Sequence, residues 1–205
     1  PDNVAKNRRR VKEALGVEIL VAAGQVHGAQ VHDVSEFCED TEIPDCDALI
    51  TSRPGTGLLI QQADCQAVLL YDPENRVAAA AHCGWRGNVH NIIAACIRTM
   101  GDIYHTSPLA LRAVISPSLG PCCAEFRNFR SEFPARLHSF RLRTGYFDLR
   151  QMSRYQLMQE GLAESNIEII DSCTMCSSNL FSYRRSTKQG RRATGRQGSI
   201  ILLPA

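Results

Sequence analysis

The sequence lacks both a long hydrophobic run and a strong charge of either sign. Its 205 residues carry 23 Lys and Arg against 21 Asp and Glu, a formal net charge of +2. A membrane span needs roughly 18 to 20 apolar residues in a row, and the apolar stretches here are only a handful of residues long. We therefore expect no membrane-spanning segment, and the balanced charge gives no overall field that would attract nucleic acid.

Internal repeats and low-complexity segments are also missing, and no basic and apolar leader typical of a secretory signal opens the sequence. The composition, with 44% apolar and 21% charged residues, is that of an ordinary globular protein. A chain of this length buries about 70% of the surface it exposes when unfolded. We expect one domain over residues 1–205.

Cysteine, in contrast, is abundant. The nine cysteines are irregularly spaced: Cys38, Cys46, Cys65, Cys83, Cys96, Cys122, Cys123, Cys173 and Cys176. An odd number of cysteines without a secretory signal is typical of reduced thiols. The pattern predicts a cytoplasmic protein in which some thiols are buried and others bind metal.

Hydrophobic periodicity and turn residues predict mixed helices and strands. Helices are expected at 3–15 behind an Asp2 cap, from an Asn88 cap to Gly101, and from an Asp148 cap to Gly161. Strands are expected at 17–22, 29–34, 48–51, 58–62, 67–71, 77–81, 111–116, 167–170 and 199–203, with an acidic loop at 35–47. The strands 67–71 and 77–81 flank a turn and predict a hairpin. The fold class is therefore α/β or α+β with mixed sheets.

Three residues that can bind metal each stand at the end of a predicted strand, namely His27, Cys65 and His82. Ligands of α/β proteins bind outside the carboxyl ends of strands. Two His and one Cys from separate segments match the three protein ligands of a catalytic zinc, whose fourth position stays open. The alternative is structural, because a single His at a strand end is more often hydrogen-bonded and a single Cys is more often a small buried hydrophobe.

Arg86 follows His82 in a glycine-bearing segment that leads into a predicted helix. Its planar guanidinium suits phosphate, and a helix N-terminus favours anions. Alternatively, Arg86 is solvated and the neighbouring Trp85 anchors the core.

Two other stretches offer competing chemistry. Cys173 and Cys176 have the spacing of a metal or redox pair, but the adjacent Cys122 and Cys123 lack the usual second-pair spacing, so we rank this site below the first. The segment 184–196 holds six Lys or Arg and no acid, which suits phosphate or RNA, although such runs are more often solvated loops.

Several short blocks resemble those of the YfiH/laccase-domain family, whose members have long been called polyphenol oxidases. The blocks are Gln25-Val26-His27-Gly28, Asp47-Ala48-Leu49-Ile50-Thr51, Ala63-Asp64-Cys65, His82-Cys83-Gly84-Trp85-Arg86-Gly87, Pro117-Ser118-Leu119-Gly120-Pro121-Cys122-Cys123, Ser182-Tyr183-Arg184-Arg185 and Thr194-Gly195-Arg196. They follow in order and cover nearly the whole chain. Family members usually begin with a further strand and an Arg-Gly-Gly-type segment, which we expect to be absent here.

The resemblance implies a four-layer α/β/β/α sandwich of mixed sheets, with a metal held by His27, Cys65 and His82. It also implies phosphorolysis of adenosine, inosine and methylthioadenosine, together with adenosine deamination. Zinc is the expected ion, and copper is possible. On this interpretation His27, Cys65 and His82 are catalytic, Arg86 contacts phosphate or an oxyanion, and Asp64 supports a ligand or transfers a proton. The expected partners are purine nucleosides and phosphate, without nucleic acid or membrane, and the oligomeric state is left open.

Three alternatives remain at this point. A copper polyphenol oxidase is disfavoured because a laccase needs a multi-histidine cluster, whereas this chain has six His in all. A cysteine hydrolase would use Cys65 as nucleophile and His82 as base. A zinc-stabilised RNA-binding module would use segment 184–196, but only Phe181 and Tyr183 are available nearby for base stacking.

Overall fold

The computed structural model describes residues 2–204, with the side chain of Asp2 left out. The predicted capping role of that side chain therefore lies outside the described residues. The α-helices are α1 (Asp2–Leu15), α2 (Trp85–His90), α3 (Ile92–Tyr104), α4 (Phe129–Glu132), α5 (Leu149–Gln159) and α6 (Tyr183–Lys188). The strands are β1 (Ile19–Ala23), β2 (Val31–Asp33), β3 (Thr41–Ile43), β4 (Ala48–Thr51), β5 (Thr56–Gln62), β6 (Gln66–Asp72), β7 (Val77–Cys83), β8 (Arg112–Ile115), β9 (Arg141–Arg143), β10 (Tyr146–Phe147), β11 (Ile167–Ile169) and β12 (Gln197–Leu202).

Two mixed sheets form the centre of the structure. One has four strands in the order β12-β5-β1-β3, and the other has six in the order β11-β8-β6-β7-β4-β2. In the smaller sheet β1 runs parallel to both β3 and β5, whereas β12 is antiparallel to β5. In the larger sheet β6 and β7 form the predicted antiparallel hairpin. The α/β fold with mixed sheets is thus confirmed.

The two sheets pack face to face. Alternate side chains of a strand point to opposite faces of its sheet, so each sheet has one face available for this contact. Val21, Leu58 and Ile60 of the smaller sheet pack with Leu49 and Ala80 of the larger one. On its other face the larger sheet packs against α3 and α5, while α1 lies against β1 of the smaller sheet. The layers therefore follow the predicted order of helix, sheet, sheet and helix.

Strand β7 is buried along its whole length, and four of its residues are alanines, Ala78 to Ala81. Alanine has a low intrinsic preference for strands. Here the small side chains are accommodated between the other sheet on one face and α3 on the other, so packing overrides that preference. This strand carries His82 and holds it at a fixed depth in the core.

The predicted start of the central helix is wrong. Asn88 lies within the short helix α2, and the long helix α3 begins after Asn91, whose side chain accepts a hydrogen bond from the Ala94 amide. Asn91 has φ 56° and ψ 55°, a left-handed conformation that interrupts the helix and that asparagine tolerates. Gly101 does not end α3, which continues to Tyr104.

Two other local predictions also differ from the structure. The expected acidic loop 35–47 contains β3, which pairs with β1; three residues are too few for an alternating pattern to be recognised. The basic run 184–196 begins inside helix α6, capped by Ser182. Both elements are short, and tertiary contacts rather than periodicity determine them.

Asn91 provides a test of this local structure. We expect Asn91→Ala to lower the free energy of unfolding by about 1–2 kcal/mol, since alanine removes the cap and disfavours positive φ. Asn91→Gly should cost only a few tenths of a kcal/mol, because glycine adopts this conformation without strain. Urea unfolding of both variants measures the difference, and a glycine variant as unstable as the alanine variant would contradict the assignment.

Candidate metal centre and cavity

The structure brings His27, Cys65 and His82 together. Their candidate ligand atoms all lie within 4.8 Å of one another, and Cys65 Sγ is 3.9 Å from His27 Nε2. The parallel strands β1 and β5 end at the same edge of their sheet, so the following loops place His27 and Cys65 side by side. The β6–β7 register, which pairs Ala67 with His82, brings the turn before β6 to the end of β7.

The backbone is unusual at two of the predicted site residues. His27 has φ 63° and Asp64 has φ 90°, both in the left-handed region that non-glycine residues rarely adopt. Such conformations cost of order 1–3 kcal/mol and cluster at functional sites. The surrounding hydrogen bonds described below hold both residues in place.

Asp47 was not assigned a role from the sequence, yet it organises the site. Its fully buried carboxylate accepts a hydrogen bond from His82 Nδ1 at 2.8 Å. It also accepts bonds from the backbone amides of His27 at 2.9 Å and Gly28 at 2.7 Å. Burial alone would raise the pKa of Asp47, but the hydrogen bonds from His82 and Gly28 hold it below its usual value. One carboxylate therefore orients His82 and shapes the loop that carries His27.

Cys65 and His82 influence each other's protonation. Burial opposes charge on both, but hydrogen bonds to His27 and His82 lower the pKa of Cys65 to about 7. The hydrogen bonds of His82 with Asp47 and Cys65 raise the pKa of His82 to about 9. A thiolate beside an imidazole is suited both to binding a metal and to nucleophilic attack.

The donor set fits a zinc ion with three protein ligands. With metal–ligand bonds of about 2.0–2.3 Å in tetrahedral geometry, neighbouring donor atoms lie roughly 3.3–3.8 Å apart. The 3.9 Å between Cys65 Sγ and His27 Nε2 is close to this range. The bond to Asp47 occupies Nδ1 of His82 and leaves Nε2 for a metal, the arrangement that orients many ligating histidines. At Gly84 a Cβ atom would lie 2.6 Å from Cys65 Sγ, so only glycine leaves room beside the thiol.

The cluster opens into a cavity of about 910 Å³. Such a volume is typical of small-molecule sites. Five arginines and three aromatic residues contribute to its lining: Arg86, Arg127, Arg184, Arg192, Arg196, Trp85, Phe126 and Tyr183. The arrangement combines planar cationic donors with flat apolar surfaces.

Arg86 lies at the cavity wall, as the sequence placed it. Its side chain is exposed, and its guanidinium lies over the Trp85 ring at 4.4 Å from the centroid. Trp85 in turn packs against Phe126 and Phe133 in a separate aromatic cluster. The two alternatives considered for this segment are therefore compatible, since Trp85 packs and Arg86 remains available to a ligand.

Asp64 uses both carboxylate oxygens within the protein. One accepts a hydrogen bond from Thr174 Oγ1 at 2.7 Å, and the other from the Arg184 amide at 2.6 Å. Its carbonyl oxygen accepts a further bond from the Leu119 amide at 2.8 Å. Asp64, which directly precedes Cys65, is thus hydrogen-bonded to two distant loops. This geometry favours a supporting role over proton transfer.

The basic run contributes more to the site than the sequence indicated. Arg184, Arg192 and Arg196 line the cavity. Arg184 also donates to the carbonyl of Cys123 and lies over Phe126 at 5.5 Å. The Ser182-Tyr183-Arg184-Arg185 and Thr194-Gly195-Arg196 blocks were the available signal, but a charge count could not indicate which arginines face a ligand.

Comparison with known proteins gives the family. The family described as multi-copper polyphenol oxidoreductase laccase matches residues 1–204. The chain is 31% identical to purine nucleoside phosphorylase YlmD of Geobacillus stearothermophilus over 97% of its own length and 78% of that protein. It is 34% identical to a purine nucleoside phosphorylase of Streptomyces coelicolor over 94% of the chain and 81% of that relative.

Solved structures agree with this match. The crystal structure of YlmD from Geobacillus stearothermophilus superposes with a TM-score of 0.84 at 28% identity, covering 97% of this chain and 79% of that one. The protein YfiH of Bacillus licheniformis gives 0.79 at 27% identity, covering 97% and 80%. The chain therefore belongs to the laccase-domain family of YfiH and YlmD, as its sequence blocks predicted.

Within residues 2–204, none of the helices is both long enough and apolar enough to cross a bilayer.

The part played by Asp47 can be measured through metal binding. We expect Asp47→Asn to weaken zinc binding about 10- to 100-fold, because an amide cannot replace the carboxylate that fixes His82. Asp45→Asn is a matched control, since Asp45 is exposed and its φ of 53° is one that asparagine accepts. Chelator competition measures both affinities, and equal binding by the two folded variants would show that Asp47 does not orient a ligand.

Proposed function

We propose that the protein is a zinc-dependent purine nucleoside phosphorylase that acts on adenosine, inosine and methylthioadenosine and also deaminates adenosine. The observation that carries the proposal is the opening of the His27, Cys65 and His82 cluster into a cavity with several arginines and aromatic rings. The names of the relatives from Geobacillus and Streptomyces support the phosphorylase part.

The cavity lining supports a nucleoside and phosphate as ligands. Trp85, Phe126 and Tyr183 offer aromatic faces on which a purine can stack. Arg86 and its neighbours offer planar donors for phosphate oxygens, which guanidinium groups bind in pairs. Because Arg184 already donates to two carbonyl groups, it has fewer donors left for a ligand than Arg86.

The residues of the cluster have separate roles in the proposed reactions. A bound zinc ion would supply Lewis acidity and one open coordination position. Asp47 keeps His82 oriented, and the low pKa of Cys65 keeps its thiol ready to bind as thiolate. In phosphorolysis a phosphate oxygen attacks the ribose anomeric carbon and the bond to the purine breaks. In deamination water adds at C6 of adenosine and ammonia leaves.

The other candidate functions have less support. Of the six His, only His27 and His82 belong to the clusters of potential metal ligands found within residues 2–204. A multi-histidine copper centre therefore lacks its ligands there. For the three-ligand site, copper is the alternative ion to zinc. A cysteine hydrolase is the main alternative function, because Cys65 and His82 are close enough to act as nucleophile and base.

A phosphate-dependent assay separates these functions. We expect purified protein to convert adenosine to adenine only with phosphate, and to inosine without it. Cys65→Ser should lose turnover and the zinc ion held with His27 and His82, whereas Cys38→Ser should retain both, since Cys38 is an exposed thiol outside the cluster. Chromatography resolves the products and elemental analysis gives the zinc. A covalent substrate adduct on Cys65 of zinc-loaded protein would replace this mechanism with nucleophilic catalysis.

Arg86 is expected to act on phosphate rather than on the metal. Loss of a hydrogen bond to a charged group costs about 1.5–3 kcal/mol, so Arg86→Ala should raise the KM for phosphate roughly 10- to 100-fold with unchanged zinc content. Arg112→Ala is the control, because Arg112 is exposed on β8 and outside the cavity. If the KM for phosphate stays the same while thermal stability falls, Arg86 is structural.

A further inference from the structure

A second cluster of metal-binding side chains lies outside the site described above. Cys122 and Cys123 belong to the loop between β8 and α4, and Cys173 and Cys176 to the loop after β11. Their four Sγ atoms all lie within 4.8 Å of one another. The two pairs are some 50 residues apart in sequence, so only the fold brings them together.

The distances from Cys176 Sγ to its two neighbours across the loops match those of ligands around one ion. Cys176 Sγ lies 3.7 Å from Cys122 Sγ and 3.5 Å from Cys123 Sγ. A disulfide would require about 2.0 Å, and all nine cysteines, which lie within the described residues, are free. Four thiolates bound tetrahedrally at about 2.3 Å from zinc lie roughly 3.8 Å apart.

We propose that Cys122, Cys123, Cys173 and Cys176 bind one zinc ion in a closed, four-thiolate structural centre. Four sulfur ligands in a tetrahedral arrangement select zinc or iron among biological metals. Of these two, a site without an open position and without a redox task is typical of structural zinc. Two of the thiols, Cys122 and Cys176, are exposed, so an ion can reach the cluster.

The surrounding backbone supports a bound thiolate. The Gly120 amide donates a hydrogen bond to Cys173 Sγ at 3.3 Å. A Cβ at position 120 would lie 2.9 Å from the Cys173 Cβ, so the absence of a side chain permits this approach. Hydrogen bonds that neighbouring groups make to metal ligands commonly orient those ligands and stabilise their charge. Arg185 donates to the carbonyls of Thr174, Met175 and Ser177, which adds positive charge beside the loop.

The proposed centre would stabilise one wall of the cavity. Ser118 forms a bridge with Cys173, and the two loops are further joined through Asp64, which accepts bonds from Thr174 and from the Leu119 amide. Asp64 directly precedes Cys65. A metal that joins the loops therefore stabilises the segment that presents Cys65, while the four cysteines themselves take no part in the reaction.

Zinc counting distinguishes this centre from the first. We expect two zinc ions per wild-type chain, one in Cys173→Ser/Cys176→Ser, one in His27→Asn and none when these changes are combined. His27 is exposed and has φ 63°, which asparagine tolerates, so His27→Asn should fold. Cys38→Ser is the matched control and should retain two. A single zinc in the wild type that is lost only in His27→Asn would overturn the proposal; a single zinc lost only in the cysteine variant would overturn the catalytic site instead.

A spectroscopic measurement covers the case in which the double cysteine variant fails to fold. Cobalt(II) added to metal-free His27→Asn protein reports on the four cysteines alone. We expect intense thiolate charge-transfer absorption and tetrahedral d–d bands. A weak, octahedral cobalt spectrum, or a disulfide among these four cysteines in protein alkylated at lysis, would overturn the proposal.

Discussion

The hydrogen bond between the buried Asp47 carboxylate and His82 is the interaction on which the rest of the site depends. Asp47 directly precedes β4, where the neighbouring β7 and the loop after β1 approach each other. Its charge is buried only because a histidine and several backbone amides donate to it, an arrangement that such burial requires. The same bonds fix the conformation around His27. A single carboxylate thus connects the parts of the candidate metal site that come from the two sheets.

The cysteines differ in protonation and in role according to their surroundings. Burial raises the pKa of Cys46 to about 11 and that of both Cys83 and Cys96 to about 12, so these thiols are neutral members of the core. Cys65 lies beside two histidines instead, and its pKa falls to about 7. The remaining clustered thiols come from two loops that converge at the cavity wall. The sequence predicted that some thiols are buried and named Cys65 as a metal ligand, but it did not indicate which cysteines belong to the core.

Several predictions succeeded because their causes are local. The β6–β7 hairpin follows from two apolar strands around an Asp-Pro turn, and α5 follows from its Asp148 cap, which bonds the Arg150 and Gln151 amides. The start of α3 was misplaced because Asn88 and Asn91 are both acceptable caps, and only the left-handed conformation of Asn91 decides between them. Strand β3 was missed because three residues show no period. The roles of the cluster in metal binding and catalysis remain predictions.

Residue types and short spacings specify the kinds of chemistry available: two histidines and a cysteine at strand ends, an arginine after the last of them, and blocks shared with one family. Which of these groups meet depends on the tertiary fold. Asp64 and Arg184 are 120 residues apart, and Thr174 lies 110 residues from Asp64, yet all three share hydrogen bonds at the cavity wall. Periodicity and turn residues encode contacts within a few residues. Contacts across such distances depend on how two sheets and their loops pack, which no local pattern records.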